Sequence, residues 1–165
     1  MKKREEKTNV MRILDQKKIP YTPHFYEEDA GPEGTSDYGL QVARTLGQDA
    51  ARVYKTLVAR GASGGFCVFE VPVAENLDLK KAARAAGEKS VELLHVAEIN
   101  AVTGYIRGGC SPVGMKKPYP TVFHASAAEQ PTIFISAGRI GAQVEVEPKA
   151  LIGLLRASAA DIIVG

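Results

Sequence analysis

The stretch from 108 to 117, GGCSPVGMKK, combines residue types that could form a binding or catalytic loop. Glycine and proline penalise helix interiors and central strands, so the sequence predicts a loop with a shaped backbone here. Its glycines leave backbone N–H groups unobstructed, which suits the binding of a carbonyl or phosphate oxygen. Lys116 and Lys117 could add positive charge at the same opening. The alternative is a tight connection that simply needs glycine dihedral angles.

A nucleophile in this loop would be Cys110 or Ser111. A reactive cysteine needs a neighbouring base, yet His24, His95 and His124 fall in three unrelated segments. The glycines flank the serine with one residue more than a G-x-S-x-G nucleophile elbow has. The histidine spacings of common metal sites are also missing from the sequence. We therefore expect neither an enzyme nucleophile nor a metal or other cofactor.

Lys55 is the most unusual charged residue, because it lies in the strand-like run VYKTLVA. Alternation places Val53 and Leu57 on its own face of the strand and Tyr54 and Val58 on the other. An ammonium among apolar side chains must reach solvent, form a pair, or line a cavity where an anionic ligand supplies its partner. The alternative is a lysine that protects an edge strand from aggregation.

Further polar and aromatic residues could face a ligand from turns and strand ends. The turn SAGRIGAQ (136–143) follows a strand-like run and could present Ser136 and Arg139. Tyr26 and Tyr38 could stack on a nucleobase, although such tyrosines are also common in ordinary packing. Each of these signals is weak by itself.

The composition is that of an ordinary globular protein, with 45% hydrophobic and 24% charged residues in a chain of 165. The net charge of +2 does not by itself indicate a nucleic-acid-binding protein, although it can hide a local basic patch. Cys67 and Cys110 lie far apart, which favours a reducing compartment over a disulfide framework. Neither a signal peptide nor the ~18 apolar residues of a membrane helix can be found. We expect a cytoplasmic protein that does not bind a membrane.

The segments around these residues predict an α+β fold. Helices are predicted after the caps Thr8 and Asp78, over LQVARTLG (40–47), and from Pro148 through KALIGLLRA. Strands are predicted in YTPHFYEE (21–28), VYKTLVAR (53–60), FCVFEVPV (66–73), TVFHA, TIFISAG and QVEVEP. The second and third of these runs are joined by GASGG, which predicts a hairpin. Repeats and linkers are missing, so we expect one domain over 1–165 with a mixed, mostly antiparallel sheet.

Taken in order, the motifs resemble a known family across nearly the whole chain. They are HFYEED, SDYG…VARTLG, VYKTLV, PVAENLDLKKAARAAGEKSVEL, TGYIRGGCSPVGMKKPYPT and IFISAGRIGAQVEV. They are similar to those of the bacterial YbaK family, free-standing proteins related to the editing domain of prolyl-tRNA synthetases. The resemblance implies a compact domain with a twisted, barrel-like sheet flanked by helices. It also implies an enzyme without a metal and without a covalent enzyme nucleophile.

The resemblance also implies an activity and a set of site residues. Lys55 matches the family's functional lysine, and Gly108 matches the glycine whose backbone lies near the aminoacyl carbonyl. The substrate pocket is implied to include Tyr26, Tyr38, Thr56, Gly109, Ser111, Pro112, Gly114, Ser136 and Gln143. Gln143 stands where close relatives of the cysteine-specific class often carry an acidic residue.

The implied reaction is trans-editing, in which cysteine is released from mischarged Cys-tRNA(Pro), with Cys-tRNA(Cys) as a further candidate substrate. In that class the substrate's own thiol attacks its ester carbonyl and leaves as a thiolactone. The implied partners are tRNA(Pro) and prolyl-tRNA synthetase. Two alternatives stay open. The chain could remove alanine or serine with an activated water, or it could be a non-catalytic module that binds tRNA or a synthetase.

Overall fold

A computed structural model of the chain describes residues 6–27 and 38–165, with the side chain of Tyr38 left out. Within these residues the helices are α1 Asn9–Gln16, α2 Tyr38–Leu46, α3 Leu79–Ala86, α4 Val96–Thr103 and α5 Pro148–Leu155. The strands are β1 Tyr21–Phe25, β2 Tyr54–Gly61, β3 Phe66–Pro72, β4 Val91–Leu93, β5 Thr121–His124, β6 Ile133–Ser136, β7 Ala142–Val146 and β8 Ser158–Ala160. None of the helices within these ranges is long and apolar enough to cross a membrane.

The strands form two sheets that meet at one end of β2. One sheet has three antiparallel strands in the order β1-β7-β6. The other has five strands in the order β4-β2-β3-β5-β8, antiparallel up to β3 and parallel from β3 to β8. A parallel bridge between Val53 and Phe134 joins them. The predicted α+β fold with a mixed, mostly antiparallel sheet is confirmed.

The five-stranded sheet is covered on both faces, which explains why β3 is apolar apart from Glu70. Phe69 and Val71 point to one face, where they pack with Ala82 of α3. On the other face Phe123 of β5 belongs to a second core, which also contains Leu14 of α1 and residues of α5, β6 and β7. Because both faces are buried, β3 lacks the polar alternation that a half-exposed strand shows.

Local signals placed most element ends correctly. The Thr8 side chain accepts a hydrogen bond from the backbone N–H of Met11 and caps α1. The hairpin of β2 and β3 forms as predicted, and Gly87 ends α3 in the left-handed conformation. The predicted strand 21–28 ends at Phe25 in the structure. The short strand β8 carried no sequence signal, because its three residues Ser-Ala-Ala have low strand propensity and depend on pairing with β5.

The cap of α3 makes a stability prediction. The Asp78 side chain accepts hydrogen bonds from the backbone N–H groups of Lys80 and Lys81, at 3.0 and 3.1 Å. Asp78→Ala removes both and is expected to cost about 1 kcal/mol of unfolding free energy, whereas Asp78→Asn keeps an acceptor and should cost far less. Urea unfolding of the two variants measures the difference. Equal losses in both would show that the cap is not the source.

Candidate active site

A cavity of about 440 Å³ lies where β2 approaches the three-stranded sheet. Its walls come from β2, α2, the turn after β3, the loop at 107–110 and the ends of β6 and β7. Its polar side chains include those of Tyr26, Lys55, Thr56, Arg107, Ser136 and Gln143. This volume is typical of a small-molecule site, which spans about 300–1,000 Å³.

Lys55 is half-buried in the wall of this cavity. Burial lowers the pKa of its ammonium, and the negative charge of Glu75 partly opposes that shift. Among the described residues no carboxylate forms an ion pair with it. Of the two alternatives for this lysine, the structure therefore favours a cavity-lining residue whose charge is available to an anionic ligand.

The glycine loop contributes backbone to the same cavity. Gly108 lines the cavity with a φ of 89°, in the region that favours glycine. Gly109 is needed for a close approach, because a Cβ there would lie 3.0–3.1 Å from backbone atoms of Arg139 and Ile140. The loop is therefore a shaped connection and also a wall of the cavity.

Three other predicted site residues shape this loop and do not line the cavity. The Ser111 side chain is buried and accepts a hydrogen bond from the backbone N–H of Val113. Pro112 is buried as well. Gly114, with a φ of 80°, packs beside the hydroxyl of Tyr105. These residues hold the loop in place and are not themselves brought to the cavity.

Lys116 and Lys117, which could have added positive charge beside the glycine loop, do not line the cavity. Lys116 donates from its Nζ to the carbonyl oxygen of Ala101, near the end of α4, and Lys117 is exposed. Neither lysine lines the cavity, whereas Arg107 does. Lys116 is held away from the cavity because the chain turns back toward α4 after Gly114, where a lysine can satisfy a free carbonyl of the last helical turn.

Cys110 lies in the cavity wall, where its surroundings favour the protonated thiol over the thiolate. Burial raises its pKa to about 12, and the nearby carboxyl of Glu70 contributes in the same direction. The histidines lie outside the cavity lining: His24 contacts Glu145, and His124 lies near Asp161. The thiol therefore has no histidine base beside it and stays protonated near neutral pH.

Tyr26, Ser136 and Gln143 line the cavity on the side of the three-stranded sheet. The Ser136 Oγ accepts a hydrogen bond from the backbone N–H of Gly138 at 3.1 Å. The Gln143 Oε1 accepts one from the Nε2 of Gln48 at 2.8 Å. The side chain of Tyr38 lies outside the described part of the structure, so its predicted place in the pocket stays a prediction.

Some lining residues had no recognisable sequence signal. Asn76 and Leu77 come from the turn after β3, Leu93 from β4 and Val42 from α2. Folding alone brings these separate segments together. Arg107 could have been noticed, because it directly precedes the glycine pair. Within residues 6–27 and 38–165, no group of histidine, cysteine and acidic side chains is arranged to hold a metal ion.

Comparison with known proteins identifies the family of this chain. Residues 33–154 match the model of the aminoacyl-tRNA editing domain. The chain belongs to the aminoacyl-tRNA editing domain family. It is 42% identical to EbsC of Enterococcus faecalis, which is named as a candidate Cys-tRNA(Pro)/Cys-tRNA(Cys) deacylase, over 98% of this chain and 96% of the relative. The resemblance drawn from the motifs is confirmed, and the chain is an aminoacyl-tRNA deacylase.

Solved structures share the fold of this editing domain. A candidate trans-editing enzyme for prolyl-tRNA synthetase superposes with a TM-score of 0.78 at 25% identity, over 94% of this chain and 95% of that one. A protein described as hypothetical superposes with a TM-score of 0.82 at 22% identity, over 94% of this chain and 99% of that one, and this likeness shows the fold alone.

The close contact at Gly109 yields a prediction with a matched control. Gly109→Ala is expected to lower the unfolding free energy by about 1–3 kcal/mol, because the new methyl group overlaps backbone atoms that cannot easily move. Gly153→Ala in α5 meets open space and should raise stability by up to ~1 kcal/mol. Urea unfolding measures both. A Gly109→Ala protein as stable as the parent would contradict the contact.

Proposed function

We propose that residues 1–165 form a single trans-editing domain that releases cysteine from Cys-tRNA(Pro), and also from Cys-tRNA(Cys). The observation that carries this proposal is the pairing of a half-buried ammonium and a glycine backbone in one cavity. Lys55 supplies a positive charge for the phosphates at the tRNA 3′ end. Gly108 supplies a backbone N–H for the ester carbonyl. The name of the 42%-identical relative supports the same amino acid and the same tRNAs.

The chemistry proposed for this cavity uses the thiol of the substrate. The substrate sulfur forms a bond to its own ester carbonyl carbon, and the bond from that carbon to the ribose oxygen breaks. The thiol proton is lost, the ribose oxygen gains a proton, and cysteine leaves as a thiolactone. Holding the two groups together is effective by itself, since well-oriented intramolecular reactions reach effective molarities of ~10⁵–10⁸ M.

The protein's contribution in this mechanism is orientation and charge stabilisation. The N–H of Gly108 would donate to the oxyanion that develops on the carbonyl oxygen, a role worth roughly 3–4 kcal/mol per donor in similar sites. Cys110 would stay a spectator, since its thiol is protonated near neutral pH. Tyr26, Thr56 and Ser136 would shape the space around the aminoacyl group.

The tRNA specificity of this domain would depend on a partner. The net charge of +2 offers few phosphate contacts, and those contacts weaken strongly with salt. Lys55 and Arg107 bring positive charge to the cavity itself, which suits the 3′ end more than the body of a tRNA. We therefore propose that prolyl-tRNA synthetase presents tRNA(Pro), and that the reaction takes place in the cytoplasm.

The roles of Lys55 and Cys110 can be tested together. Lys55→Ala is expected to lower kcat/KM for Cys-tRNA(Pro) deacylation by about 100-fold or more, because the substrate loses its charge partner and its position. Lys117→Ala, which removes an exposed lysine outside the cavity, is the matched control and should keep the parental rate. Cys110→Ser should stay within a few-fold of the parent.

Two outcomes would contradict the proposal in different ways. A Lys55→Ala protein that deacylates at the parental rate would remove the lysine from the reaction. An inactive Cys110→Ser protein with an unchanged thermal unfolding curve would point to an enzyme nucleophile.

A further inference from the structure

Glu70 in β3 is a carboxyl group fully buried in the interior of the sheet. Neither of its carboxyl oxygens makes a hydrogen bond of normal geometry, although the Thr56 hydroxyl lies near enough to act on the carboxyl group. Thr56 lies directly opposite in β2, and its Oγ1 is also buried without a partner. Residues that face each other across an antiparallel pair share one face of the sheet, so these two unpaired groups are neighbours.

This arrangement is unfavourable for folding. A buried polar group without a partner loses its hydration and gains nothing in return, and an apolar side chain of similar size would fit this interior better. Burial raises the pKa of Glu70 well above its ordinary value, and the Thr56 hydroxyl opposes that shift only in part. Burial in this interior therefore favours the un-ionised form of the carboxyl group. Buried groups of this kind concentrate at functional sites.

The surroundings of Glu70 connect it to the cavity. Thr56, Tyr54 and Cys110 all line the cavity, and Glu70 lies near enough that a negative charge on it would raise the pKa of Tyr54 and of Cys110. Tyr54 on β2 and Cys110 in the glycine loop are the titratable groups that lie near it from these two segments. From β5 it meets Phe123, which is apolar. Glu70 thus lies behind the cavity wall, one layer away from the space a substrate would fill.

We propose that Glu70 is a positioning residue of the deacylase site and fixes the Thr56 hydroxyl from behind the cavity wall. An un-ionised carboxylic acid has both a donor and an acceptor, and so does a threonine hydroxyl, so a small rotation pairs them. With its hydroxyl held toward Glu70, the Thr56 side chain keeps one orientation in the cavity wall next to Lys55. The absence of charge on Glu70 matters as well, because an anion behind the wall would repel the phosphates that the lysine attracts. This role rests on the proposed deacylase function.

The first arm of the test measures stability, independently of activity. Above pH 4.5, the ordinary pKa of glutamate, the unfolded chain loses the Glu70 proton while the folded protein keeps it. The unfolded state then binds fewer protons, so the unfolding free energy of the parent should fall as the pH rises. Glu70→Gln lacks this contribution. The difference between Glu70→Gln and the parent in urea unfolding should therefore grow as the pH rises above 4.5, until the raised pKa of the folded state is reached.

The second arm measures kcat/KM for Cys-tRNA(Pro) near neutral pH in a double-mutant cycle. Glu70→Val is expected to lose about tenfold while remaining folded, because Thr56 is no longer held. Glu70→Gln, which can still pair with the hydroxyl, should recover most of that loss. Thr56→Val combined with Glu70→Val should lose no more than the worse single variant, since both remove the same pairing.

Each arm has an outcome that overturns the proposal. Parallel pH dependence of stability in the parent and Glu70→Gln would show that the folded protein does not keep the proton. Parental kcat/KM in Glu70→Val, or additive losses in the double variant, would show that Glu70 does not act through Thr56. A parent protein that releases no amino acid would contradict the proposed function and this role with it, while the stability arm would still report the state of Glu70.

Discussion

The site depends on the incomplete pairing of β2 with β4, which leaves part of the β2 edge without a neighbouring strand. β4 pairs with Ala59–Gly61 at the far end of β2, and the stretch from Tyr54 to Leu57 lies beyond its reach. A strand edge left open would expose backbone and attract other strands. Here α2, the turn after β3 and the glycine loop close around the gap and leave the cavity between them. Lys55 lies in that uncovered stretch, so the incomplete pairing puts the charge and the cavity in one place.

The glycine loop can fill the uncovered space beside β2 because its glycines carry no side chains and can adopt dihedral angles that other residues disfavour. Gly109 lets the loop approach the turn at 139–140 to a distance at which a Cβ would be crowded against backbone, and Ser111 and Gly114 fix the rest of the path of the loop. Gly108 can therefore present its backbone to the cavity opposite β2, a strand from the first half of the chain. The proposed chemistry needs little more than this geometry, because the substrate carries its own nucleophile.

Much of the fold could be predicted, since capping, turn and alternation signals are local. Thr8 and Asp78 cap the starts of α1 and α3, and Gly87 ends α3, all through contacts within a few residues. The hairpin of β2 and β3 forms across a short loop. Lys55 was recognisable as a charge in an apolar run. The contact of Lys116 could not be predicted, because its partner carbonyl lies on α4 and only the tertiary path of the loop brings the two together.

Other parts of the site could not be predicted from local patterns. Glu70 interrupts an otherwise apolar run, but the sequence does not reveal that both faces of β3 are buried, and this is what leaves its carboxyl group unpaired. Asn76 and Leu93 reach the cavity from separate elements through packing alone. Burial and long-range contacts are properties of the assembled fold, so they are available only once the fold is known.

The most direct test of the central claim compares two substrates on the same enzyme and the same tRNA. Cysteinyl-tRNA(Pro) carries the thiol that is proposed to attack, and 2-aminobutyryl-tRNA(Pro) replaces that thiol with a methyl group of similar size. Single-turnover release by the parent protein should be fast for cysteine, with a thiolactone as the first product, and should stay at the uncatalysed rate for 2-aminobutyrate. Equal release of both amino acids would contradict the account and would assign the attack to water.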